Sequence, residues 1–127
     1  MGPCPSRTEV AVVLCALNAA EVVTEQLNAV AAQIAAGDRR VDLVLVDNGS
    51  SDRTGEVFAD YARGHEFIRL VHEPRPGLPW ARNAGVRASA APLILMCDAD
   101  DHVLDGWRTA MTDALERTDL VGCHFDI

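Results

Sequence analysis

The run Leu93-Ile94-Leu95-Met96-Cys97 stops abruptly at Asp98-Ala99-Asp100-Asp101, and this change from apolar to acidic constrains the fold more than any other stretch. A short apolar run behind Pro92 has the length of a buried strand rather than a helix. In an open α/β sheet, ligands bind beyond the carboxyl ends of the strands, which is where the acids are then expected. Like charges this close raise one another's pKa values. A divalent cation relieves the repulsion, and hard carboxylate oxygens suit Mg2+ or Mn2+. The plainer alternative is a solvated turn in which Asp101 starts the next helix.

The other segments supply the context. Val10 to Cys15 is a second continuous apolar run, followed by Ala16-Leu17-Asn18. Asn18 and Glu21 have the spacing of a capping box, and Val23, Leu27, Val30 and Ile34 then repeat as one helix face, with Gly37 as its stop. Val41 to Val46 is a strand interrupted only by Asp42, and it ends in Asp47-Asn48-Gly49-Ser50-Ser51-Asp52, a turn joined to helix-capping residues. Val57, Phe58 and Tyr61 face inward from the next helix, which Gly64 closes. Phe67 to Val71 is a shorter strand. Three prolines between Glu73 and Pro79 make a loop. Helices are expected over Trp80–Ala90 and Asp105–Arg117, the latter with Trp107, Met111 and Leu115 on one face. A last strand is expected over Asp119–Phe125.

Strands alternating with helices imply a parallel sheet, and apolar rather than alternating strands imply helices on both faces. The expected fold is a Rossmann-like three-layer α/β/α sandwich with a mostly parallel sheet. The strands ending at Asp47 and Asp98, and the one leading to Asn18, then bring their polar ends to one edge, which favours the ligand-site reading.

At 127 residues the chain makes one domain, expected over 9–127 behind a disordered leader at 1–8. Its formal charge of −8 argues against nucleic acid as a partner. All 11 basic residues are arginine, which excludes a Schiff-base or P-loop lysine and hints at a GC-rich coding genome. None of the four cysteines forms a Cys-x-x-Cys pair, so Cys15 and Cys97 read as small core residues in a reducing compartment. The start formally matches a myristoylation pattern, which Pro3 and Pro5 make a poor one. No stretch approaches the ~20 apolar residues of a membrane span, and no signal-peptide pattern opens the chain. The expected location is cytoplasmic, free or peripheral to the inner face of the membrane.

Three motifs in order carry a resemblance: Val46-Asp47-Asn48-Gly49-Ser50-Ser51-Asp52-Arg53-Thr54, Gly77-Leu78-Pro79-Trp80-Ala81-Arg82-Asn83-Ala84-Gly85, and Leu95-Met96-Cys97-Asp98-Ala99-Asp100-Asp101. From about Glu9 onward the chain resembles the nucleotide-sugar-binding half of a family 2 glycosyltransferase with the GT-A fold. The resemblance implies that Asp47 hydrogen-bonds the base, with Ala16 near it and Asn48 to Ser51, including Ser50, shaping its pocket. It implies that Arg82 lies near the base and diphosphate, Asp98 near the ribose, and Asp100 on a metal that bridges the diphosphate. The implied donor is a nucleotide-diphosphate sugar, a UDP-sugar as first choice, and inverting transfer follows from the resemblance alone.

The chain also departs from the family. Where members carry a Pro-Thr-Tyr-Asn-like segment it has Cys15-Ala16-Leu17-Asn18, so the hydroxyl and the aromatic ring are lost. The family's acceptor half, with its general base, has no matching residue here; His102 and His124 are conceivable substitutes, although a lone His is more often structural. The resemblance therefore implies a truncated GT-A fold whose sheet has the order 3-2-1-4, with the flank of Leu93 to Cys97 exposed and able to pair with another chain. A non-catalytic nucleotide-diphosphate-binding module and a receiver-like Mg2+-binding signalling domain remain alternatives. Receiver domains carry their acid pair after the first strand and need a later lysine. A phosphatase nucleophile loop fails at His102, and a Rossmann dehydrogenase fails for want of a Gly-rich turn after Cys15.

Overall fold

The computed structural model describes residues 8–36 and 40–122. Its elements are β1 (Val10–Ala16), α1 (Val23–Ala36), β2 (Val41–Asp47), α2 (Thr54–Ala62), β3 (Ile68–His72), α3 (Leu78–Arg87), β4 (Leu93–Asp98) and α4 (Trp107–Leu115). The strands form one sheet in the order β3-β2-β1-β4, and all three pairings are parallel. This is the expected α/β architecture and strand order.

Strand periodicity sorts the core into two layers. Val10, Val12, Leu14 and Ala16 of β1 join Leu43 and Leu45 of β2 under α1 and α2, against Val23, Leu27, Val30 and Phe58. Trp107, Met111 and Leu115 of α4 pack against the same cluster. The alternate residues Ala11, Val13 and Cys15 meet Val44, Val46 and Ala81 of α3 on the opposite face. β1 is buried along its whole length because strands flank it on both sides and helices cover both faces. The interrupting Asp42 is also buried; it accepts a hydrogen bond from the Thr8 hydroxyl at 2.8 Å and pairs with Arg69 at 3.4 Å.

α3 approaches the sheet closely at Gly85. A Cβ built there would collide with Val13 Cγ1 and lie 3.1 Å from Val46 Cγ2. Gly85 is thus a packing residue, and the close approach sets where the helix presents Arg82.

Several local expectations are corrected. The capping box does not form, since α1 begins only at Val23 and Asn18 sits in the left-handed region with φ 52°. In that conformation its Oδ1 accepts from the backbone N–H groups of Ser51 and Asp52, so it ties the β1 loop to the β2 loop. α3 starts at Leu78, two residues early, because Pro79 in the first turn gives up an N–H that has no helical partner there. α4 starts at Trp107 behind Gly106, whose φ is 83°, so Asp101 is not a helix-start residue. Residues 119–122 form no strand, while 123–125 of that expected strand, the Gly37 stop and the leader up to residue 7 lie outside the described residues.

Candidate functional site

The register of the sheet gathers the polar strand ends. Asp47 of β2 lies beside Ala16 of β1, and Asp98 of β4 lies beside Cys15. Loops from three adjacent strands therefore meet at one edge.

On the β2 side, four of the sequence-predicted residues are fastened to one another and to neighbouring loops. The Ala16 carbonyl accepts from the Asn48 N–H at 2.9 Å. Asp47 Oδ1 accepts from the Ser50 N–H at 3.0 Å, and Ser50 Oγ accepts from the Asn18 N–H at 2.9 Å. Asn48 is buried, and its amide donates to the carbonyls of Glu73 at 2.9 Å and Arg75 at 2.8 Å. Arg75 in turn pairs with Glu73 at 2.6 Å and lies 3.9 Å over the Trp80 ring. That guanidinium holds the Glu73 carboxyl below its ordinary value. Asn48 thereby acts as a fastener between the β2 loop and the loop that leads into α3.

On the β4 side, Asp98, Asp100 and Asp101 offer carboxylate oxygens that all lie within 4.8 Å of one another. Burial lifts the Asp101 carboxyl above its ordinary range, and the charges of Asp98 and then Asp100 add to the rise. Arg82 Nη2 stands 3.6 Å from Asp98 Oδ1 across half-exposed surface. A cavity of about 620 Å³ opens here, lined by Arg82, the three acids, His102 and Trp107 among others. Burial pushes the thiols of Cys15 and Cys97 up to about 11 and about 12, so both stay protonated at neutral pH.

The predicted set thus falls into two adjoining groups: Ala16, Asp47, Asn48 and Ser50 around the β2 loop, and Arg82, Asp98 and Asp100 around the cavity. Asp101, which the sequence leaves open between a helix start and an acid of the cation group, lies with Asp98 and Asp100. Its signal was the run of acids itself, which continues through Asp101 without a helix beginning. His102 is exposed on the cavity rim, while His124 lies outside the described residues.

A family model described as glycosyl transferase family 2 matches residues 11–127. The chain belongs to that family, and its fold is of the GT-A type. EpsJ of Bacillus subtilis (strain 168), an uncharacterized glycosyltransferase, is 37% identical over 87 residues, which is 67% of this chain and 25% of EpsJ. YibD of Escherichia coli (strain K12), also an uncharacterized glycosyltransferase, is 32% identical over 68% of this chain and 26% of its own length. Among solved structures, S. aureus TarS 1–349 matches with a TM-score of 0.72 at 20% identity, over 87% of this chain and 33% of that one. The mannosyltransferase PcManGT from Pyrobaculum calidifontis, solved with GDP-Man and Mn2+, matches with a TM-score of 0.68 at 26% identity, over 86% of this chain and 32% of that one. The chain therefore spans about a quarter of the curated relatives. Membership in the family sets aside the receiver-like reading.

Proposed function

We propose that this chain is the donor-binding half of a glycosyltransferase that moves a sugar from a nucleotide-diphosphate sugar, a UDP-sugar as first choice, to an acceptor with inversion. The observation that carries the reading is the meeting of Asp98, Asp100 and Asp101 at the end of β4 with the Arg82 guanidinium beside them.

The donor set fits a hard divalent cation. Three carboxylates share one small volume, and their partial exposure leaves coordination positions for phosphate oxygens. Asp100 is the ligand proposed for Mg2+ or Mn2+. When bound, such a cation stabilises the negative charge that develops on a departing diphosphate. Arg82 adds a fixed positive charge beside it, since a guanidinium keeps its proton throughout. Asp98 is assigned to the ribose. Asp47, its carboxylate already oriented by the Ser50 N–H, is assigned to the base, with Ala16, Asn48 and Ser50 around it. The Mn2+ and GDP-Man bound by PcManGT support this class of ligand.

None of these residues is the acceptor's catalytic base. No helix among the described residues is long and apolar enough to cross a membrane, and we place the protein in the cytoplasm, free or at the inner membrane face. Calorimetric titration with UDP and GDP, with and without Mn2+, tests the reading. Binding that requires the cation is expected; absence of any cation-dependent binding contradicts it. Release of UDP from a UDP-sugar without transfer would favour the second reading, a module that binds the donor but does not transfer its sugar.

A further inference from the structure

Gln26 is fully buried in α1 behind the acid cluster. Its Nε2 donates to the Asp98 carbonyl at 3.1 Å, and its Oε1 accepts from the Val103 N–H at 2.8 Å. One carboxamide therefore joins the two ends of the segment that carries Asp100 and Asp101. Inside the segment, the Asp101 N–H donates to the same Asp98 carbonyl at 3.3 Å.

A primary amide buried in an apolar stripe is unfavourable unless its hydrogen bonds are made. Those of Gln26 are made, and what they hold is the backbone of the acidic loop. Gln33, two turns further along α1, repeats the pattern on the next stretch. Its Nε2 donates to the Leu104 carbonyl at 2.8 Å, and its Oε1 accepts from the Arg108 N–H at 2.7 Å. Gln33 thus anchors the run into α4 without touching the acids.

We propose that Gln26 is a positioning residue for a divalent cation: it closes the Asp98–Val103 segment into a loop and so holds Asp100 in place for the cation, with the carboxylates of Asp98 and Asp101 beside it. This role rests on the cation-binding reading of the same site. It differs from the role of Gln33, which gives an internal control.

The test measures Mn2+ binding to the full 127-residue chain by the loss of the free-ion electron paramagnetic resonance signal. Gln26→Leu removes both backbone hydrogen bonds, and the contact with the Cys97 thiol, at similar volume. Gln26→Asn keeps an amide that is one methylene too short to span both partners. Both are expected to weaken Mn2+ binding by roughly 10-fold or more, the usual size of an outer-shell loss, while Gln33→Leu leaves it within a factor of about 3. Hydrogen exchange without Mn2+ supplies a second readout. The Val103 amide should be protected in the unaltered chain and exchange freely in the Gln26 variants, with the β1 and β2 amides still protected. Folded Gln26 variants that bind Mn2+ as well as the unaltered chain overturn the proposal. So does an equal loss in Gln33→Leu, or a Val103 amide unprotected in the unaltered chain. An unaltered chain that binds no Mn2+ overturns the proposed function, and the positioning role with it.

Discussion

Asp47 and Asp98 end the two strands that flank β1, beside Ala16 and Cys15 respectively, so the two carboxylates stand one residue out of step across a single strand. Two strand spacings separate their backbones by roughly 10 Å, and because side chains alternate along a strand, Asp47 starts from the α2 face of the sheet and Asp98 from the α3 face. The geometry follows from the strand order β3-β2-β1-β4, which puts β1 between the two acid-bearing strands.

Asp100→Asn removes one negative ligand from the triad. Mn2+ affinity is expected to fall by at least roughly 10-fold. The cation-free chain should be no less stable, because one of three mutually repelling charges is gone. Calorimetry with Mn2+ and a thermal melt in chelator check the two halves separately.

Gly85→Ala pits two effects against each other. Alanine is the better helix former by about 1 kcal/mol. The new methyl group, however, meets Val13 and Val46, and overpacking a core costs about 1–3 kcal/mol. The clash is expected to win, with net destabilisation by chemical denaturation and weaker nucleotide binding as α3 carries Arg82 outward.

The Thr54 hydroxyl, followed by the backbone N–H groups of Thr54 and Ala20, holds the Asp52 carboxyl below its ordinary value. A lowered folded-state pKa stabilises above the unfolded value of about 3.9, and the benefit disappears as pH falls through the folded-state value. Asp52→Asn should therefore lower the melting midpoint at pH 7, and its gap to the unaltered chain should narrow below about pH 4. A gap that stays constant from pH 7 to pH 3 contradicts the assignment.

Among the described residues no strand pairs with the outer side of β4, and Met96 there is 42% exposed. An open strand edge with an apolar residue on it invites pairing with another chain. Sedimentation equilibrium is expected to show mass rising with concentration, and Met96→Glu should suppress the rise. A monomer at every concentration contradicts this expectation.

β1, β2 and β4 were readable because they are largely apolar runs, the mark of a sheet covered on both faces. Their order came from the resemblance to the glycosyltransferase family, since an apolar run does not say which strand lies beside it. The stripe of Val23, Leu27, Val30 and Ile34 likewise marked the buried face of α1. Asn18 misled because the same side chain serves as a helix cap or as a left-handed turn residue, and only the neighbouring β2 loop decides between them. Asp101 stayed ambiguous because an acid can start a helix or face a ligand, and only the start of α4 at Trp107 behind Gly106 removes the first reading. Gln26 was visible as a polar residue within an apolar stripe, yet its partners at Asp98 and Val103 are distant in sequence and become evident only once the chain is folded.

The proposed donor site requires one divalent cation held at Asp100 beside a nucleotide diphosphate. Anomalous diffraction from crystals of the chain grown with Mn2+ and UDP tests it most directly. A manganese peak in contact with Asp100, beside the UDP diphosphate, is expected. UDP bound with no manganese at Asp98, Asp100 or Asp101, or manganese bound elsewhere, would contradict it.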